Sequence, residues 1–178
     1  MRKWIFTAMI AAALMCAAAF SFAQGLAVGT AAPVVDGVID AAQYTYTLDL
    51  GQMTLHFQRS GDTLYIGVVG KTTGWVAVGL GGRMNASPIF IGYFADDKAQ
   101  LRADMGMGHS HQAAQAQNQA AVSAWDVKEQ GGLTTLEIAL TGAILQGQKD
   151  LNVIYSMGPS DNFTSYHSFR GAGVVPLK

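Results

Sequence analysis

From Val34 onward, short apolar runs alternate with glycine-rich breaks, and this spacing leaves little room for helical or mixed architectures. The runs "MTLHFQRSGDTLYIGVVG", "GWVAVGL", "SPIFIGYFADD", "QLRADMGMG", "AVSAWDVKEQGG", "LTTLEIALTG" and "LNVIYSMG" follow one another at intervals of roughly 8 to 12 residues, the signature of an all-β sandwich or barrel. Ser60-Gly61-Asp62 is a hairpin turn signal between two alternating stretches. In "TLHFQR", Leu55 and Phe57 alternate with His56 and Gln58, which predicts one apolar face and places His56 on solvent. Only "HQAAQAQNQAA", residues 111–121, breaks the rhythm; its alanine and glutamine content predicts a short helix or a loop.

The N-terminus has a different logic. Arg2 and Lys3 precede the apolar stretch Trp4 to Phe20, and small residues at Ser21 and Ala23 follow it, so residues 1–23 read as a signal peptide with the mature chain starting at Gln24. A lipid on Cys16 is disfavoured by bulky Met15 just before it. Residues 24–178 then form one domain with no transmembrane segment, exported and periplasmic or secreted. Removing Arg2 and Lys3 leaves 9 basic residues against 12 acidic ones, which argues against nucleic acid or an anionic membrane as partner. Cys16 is the only cysteine. The mature chain therefore has no disulfide, no thiolate-held iron–sulfur cluster and no covalent haem attachment.

No GxSxG, HExxH or phosphate-cradling loop is present, and the acidic residues sit mostly in turns such as Asp96-Asp97. Two groups of residues carry the remaining chemistry. In "DMGMGHSH", Met105, Met107, His109 and His111 recur at every second position, so an extended segment would offer thioethers and imidazoles to copper from one face; the plainer reading is a glycine-loosened strand end. The other group is Met84, in the glycine-rich turn "GLGGRMN", and His167 in "YHSFRG". A methionine in such a turn either plugs a core or has a partner that is not protein.

The segment Trp75 to Phe94, "WVAVGLGGRMNASPIFIGYF", resembles the central motif of the DOMON domain: a tryptophan strand, a turn bearing methionine, and a strand running toward an acidic turn. "VVDGVIDAAQY" is similar to the opening of exported relatives in that superfamily, which includes haem-carrying dehydrogenase subunits and carbohydrate-binding modules. The resemblance implies an immunoglobulin-like β-sandwich of about 9–11 short strands. It also implies a noncovalent haem b with Met84 and His167 as axial ligands, single-electron transfer without catalysis, and a redox partner such as a membrane cytochrome or quinone-linked system. Met–His ligation leaves no open site on iron and favours the ferrous state, which suits electron transfer. A slot at the end of the sandwich, walled by Trp75, Phe90, Tyr93, Met157 and Phe169, is the expected cofactor pocket. The competing expectation is a haem-free module that binds a sugar or other small ligand on exposed Trp75 or Trp125.

Overall fold

The computed structural model describes residues 25–29, 31–114, 121–141, 145 and 148–178. The export segment, Cys16 and most of the alanine- and glutamine-rich stretch lie outside the described residues. Eleven strands are found among those described: β1 (Tyr46–Asp49), β2 (Met53–Ser60), β3 (Thr63–Gly70), β4 (Val76–Leu80), β5 (Pro88–Ala95), β6 (Lys98–Met107), β7 (Ser110–Ala113), β8 (Val122–Gln130), β9 (Leu133–Thr141), β10 (Asp150–Met157) and β11 (Phe169–Pro176). They form two antiparallel sheets, in the orders β1-β2-β3-β9-β8 and β11-β10-β4-β5-β6-β7. The sandwich is the expected fold class. Local sequence accounts for its tightest turns: Gly61 has φ 56° in the β2–β3 hairpin, where Ser60 pairs with Thr63. Asp96 and Asp97, both at positive φ, turn β5 into β6, since a two-residue hairpin needs left-handed backbone that short polar side chains tolerate.

The core lies between the sheets and is built by period-two alternation. Leu55 and Phe57 of β2, Ile66 and Val68 of β3 and Leu136, Ile138 and Leu140 of β9 meet Val76, Val78, Phe90 and Val153 of the other sheet, each at most 1% exposed. The six-stranded sheet is covered on its outer face as well. There Ala77, Ile89 and Ile91 join Trp75 in a second apolar layer. Two-sided burial is the reason that "WVAVGL" is an unbroken apolar run rather than an alternating one.

The outer face of the five-stranded sheet is also covered, which corrects the expected exposure of His56. The segment before β1 folds across it, bringing Ile39 and Tyr44 against Gly67. His56 is 7% exposed, with Nδ1 3.1 Å from Thr47 Oγ1 and its ring 5.6 Å from that of Tyr44. Burial pushes its imidazole below the usual value. Beside it, the buried Glu137 carboxylate accepts from the backbone N–H of Asp36 (2.9 Å) and Gly37 (2.8 Å) and from the Tyr44 hydroxyl (2.6 Å). Burial and this carboxylate hold the Tyr44 hydroxyl well above its ordinary range. The "VVDGVID" opening is thus the latch that ties the N-terminal segment to β9.

Candidate functional site

A cavity of about 690 Å³ opens on the outer face of the six-stranded sheet, not at the end of the sandwich. Its floor is the second apolar layer: Trp75, Ala77 and Gly79 of the β4 run, Ile89 and Ile91 of β5, and Ile154 of β10. Two loops fold over this floor from opposite ends. Met157 pairs with Val76 at the start of β4 and Val153 with Leu80 at its end, so the loop 158–168 leaves from one end of the sheet and the turn 81–87 from the other. The turn carries Met84 and the loop carries His167, and both side chains line the cavity.

Each loop is fixed by specific contacts. The Met84 turn is stitched to β6: Ala86 N–H donates to Gly106 O at 2.9 Å, Gly106 N–H to Ser87 O at 2.9 Å, and Gly108 N–H to Asn85 Oδ1 at 2.9 Å. Within the turn, Ser87 Oγ donates to Arg83 O at 2.5 Å. The approach is so close that a Cβ on Gly106 would lie 1.7 Å from Met84 O. In the other loop Asn162 Oδ1 accepts from the N–H groups of Thr164 (3.0 Å) and Ser165 (2.7 Å), and Trp75 Nε1–H donates to Ser165 Oγ at 2.8 Å. Phe163 wedges this loop down, its ring 4.7 Å from Tyr93 and beneath the Arg102 guanidinium at 4.6 Å.

Among the aromatic and methionine wall residues expected from sequence, only Trp75 lines this cavity. Phe90 (1% exposed) and Met157 (5%) point the other way, into the core between the sheets. Phe169 packs toward the same core with Tyr155. Tyr93 shares the outer face but supports Phe163 from below. The apolar residues that do form the floor were missed because the assignment followed residue type rather than parity. Alternation from Trp75 picks out Ala77 and Gly79, and alternation against Phe90 picks out Ile89 and Ile91.

The Met/His-rich segment is a hairpin, not one extended face. Gly108, at φ 62°, and His109 form the turn between β6 and β7, and Gly106 pairs with His111. His111 therefore shares the outer face with Gly106 and Asp104, while Met105 and Met107 take the opposite parity. Residues 111–113 are strand rather than helix or loop. No group of three or more His, Cys, Asp or Glu that could hold a metal ion occurs among the described residues. His109 and His111 do reach the cavity. The Asp104 carboxylate, fully buried, accepts from Arg102 Nε and Nη2, each at 2.7 Å, and from His111 Nδ1. The His167 ring packs tilted against that of exposed Tyr166, centroids 4.0 Å apart, and Arg170 Nη1 lies 3.1 Å from His167 Nε2. An arginine can only donate, so that imidazole nitrogen is unprotonated, the form a metal would take. Trp75 is buried rather than offered to solvent, whereas Trp125 is 40% exposed in a separate depression with Leu101 and Val122.

The fold class so defined is that of an antiparallel β-sandwich with a ligand-sized cavity on one outer face. Known structures share the sandwich fold. The cytochrome b domain of pyranose dehydrogenase from Coprinopsis cinerea superimposes with a TM-score of 0.58 at 10% identity, covering 75% of this chain and 81% of that one. The cytochrome domain of Myriococcum thermophilum cellobiose dehydrogenase gives 0.57 at 14%, covering 82% and 88%. A family 9 carbohydrate-binding module from Caldicellulosiruptor kristjanssonii in complex with glucose gives 0.51 at 10%, covering 86% and 95%. The fold is therefore the one implied by the resemblance to the DOMON domain. No family model and no curated protein matches the chain.

Proposed function

We propose that this protein carries one noncovalent haem b in the outer-face cavity, with Met84 and His167 as axial ligands, and passes single electrons rather than catalysing a reaction by itself. The observation that carries the proposal is that a thioether and an imidazole 83 positions apart come from loops at opposite ends of one sheet and line the same cavity. The residues fit such a group. The floor is apolar, with the Ile89 and Ile154 side chains closing over Gly79, and His167 offers a lone pair where Arg170 now donates. Haem bound there would supply a one-electron couple held toward the ferrous state by the thioether. The chain's own part is to exclude water with Trp75, Ile89, Ile91 and Phe163 and to fix both donors through the stitched turn and the wedged loop. The cytochrome domains that share the fold support this reading.

Reduced protein supplied with haem is expected to show the sharp split bands of a low-spin, six-coordinate iron. Met84→Ala and His167→Ala should each turn it high-spin or remove the haem; unchanged spectra in both variants overturn the assignment. The partner would be a redox protein, such as a membrane cytochrome or quinone-linked system. No helix among the described residues is long and apolar enough to cross a membrane. Export with removal of residues 1–23 belongs to the same proposal. Intact mass of protein recovered outside the cytoplasm should correspond to a chain starting at Gln24, and retention of Met1 or a lipid on Cys16 would contradict it.

A second reading, a sugar-binding module, has one observation in its favour. Tyr166 is 77% exposed at the cavity mouth, among the polar side chains of Thr164, Ser165 and Arg170, and a carbohydrate-binding module that holds glucose shares the fold. Calorimetric titration with glucose on the haem-free protein separates the two: binding abolished by Tyr166→Ala would favour the sugar.

A further inference from the structure

The haem proposal leaves one well-built group in the cavity unused. Asp104 is fully buried on the outer face of the sheet, where an ionised carboxylate needs partners. It has three contacts: a two-pronged ion pair with Arg102 and a hydrogen bond from His111 Nδ1. An ionised carboxylate can only accept, so Nδ1 carries a proton and the ring is fixed in one orientation. The other ring nitrogen, Nε2, has no protein partner among the described residues, and the ring lines the cavity. His109, on the hairpin turn, has no such support.

Met84 packs against Gly106, which pairs with His111, so His111 stands on the Met84 flank of the cavity. Its place is at the edge of whatever Met84 and His167 hold between them. With Nδ1–H given to Asp104, Nε2 donates only when it carries a second proton, and an imidazolium at an edge recognises an anionic oxygen.

We propose that His111, oriented by Asp104 and Arg102, is a binding residue of this cavity that, as the imidazolium, donates from Nε2 to a carboxylate of the bound ligand. The inference rests on the haem reading, because haem b carries two carboxylates. It adds a selectivity that axial ligation alone does not provide: the site distinguishes an acidic porphyrin from an esterified one.

The experiment titrates the full-length, haem-free protein with haem b and with its dimethyl ester, which has the same iron and ring but no carboxylate, following the visible spectrum. Wild-type protein should bind haem b more tightly than the ester. His111→Gln should weaken haem b about tenfold or more, the scale of a lost hydrogen bond to a charged group, while leaving ester affinity and the low-spin spectrum as they were. Unaltered ester binding also reports that the cavity has kept its shape. Asp104→Asn should act in the same direction, and His109→Ala should leave both affinities alone. Equal weakening of both ligands by His111→Gln, or none, overturns the proposal. Failure of wild-type protein to bind either porphyrin instead removes the haem reading, and this assignment with it.

Discussion

Replacing Gly106 by alanine should disable the Met84 turn without touching the core. A Cβ built on Gly106 lies 1.7 Å from Met84 O, 2.6 Å from Met84 C and 3.1 Å from Met84 Cγ. Two of these atoms are backbone, which no rotamer change can move aside. To reach even 3.0 Å the turn must retreat by roughly 1.3 Å, and the two 2.9 Å hydrogen bonds that bracket it, Ala86 N–H to Gly106 O and Gly106 N–H to Ser87 O, cannot both survive that shift. Two weakened backbone bonds and a displaced turn should cost about 2 kcal/mol, or roughly 4–8 °C in melting temperature for a domain of this size. The larger effect is on the proposed haem site, because a donor moved by more than an ångström would no longer reach the iron. Gly82→Ala is the control in the same turn: its added methyl would meet nothing closer than 3.9 Å. Calorimetry on both variants, with spectral titration of haem, reads the outcome. A Gly106→Ala protein that melts with the wild type and binds haem as well would refute the packing argument for Met84.

The opposite face provides two further tests. Because burial lowers the folded-state value of His56, protonation favours the unfolded chain; stability present above about pH 6.5 should fall as the medium is acidified through that value. His56→Gln should flatten the melting temperature between pH 7.5 and 5.5, and an unchanged slope would assign it to other groups. Glu137→Ala strands two backbone N–H groups and the Tyr44 hydroxyl, so urea titration should report a loss of about 3 kcal/mol or more; a loss below 1 kcal/mol would mean the N-terminal latch is dispensable.

Strand spacing, the Gly61 hairpin and the two-sheet fold were legible because they depend on local turn chemistry and period-two alternation. His56 was misjudged for a reason local pattern does not contain. Alternation tells which side of a strand a residue faces, but the cover on that side comes from Ile39 and Tyr44, in a preceding segment that returns across the sheet. Phe90 and Met157 were misplaced because hydrophobic type does not distinguish the inner from the outer face of a sheet buried on both. The unbroken run from Trp75 to Leu80 was the available sign of that condition. Gly108 could have marked the hairpin that separates Met107 from His111. Met84 and His167 were connected by resemblance alone, since no spacing rule joins residues brought together by loops at opposite ends of a sheet.

The two apolar layers of the six-stranded sheet bear on the order of assembly. The inner layer closes against the other sheet using protein atoms alone, and the loops over the outer layer are anchored to the sheet by Phe163, Ser165, Asn85 and Ser87. Among the described residues the principal core is filled by protein side chains. A chain built this way can close its principal core first and take up the proposed ligand afterwards, so folding and loading need not share a time or a place.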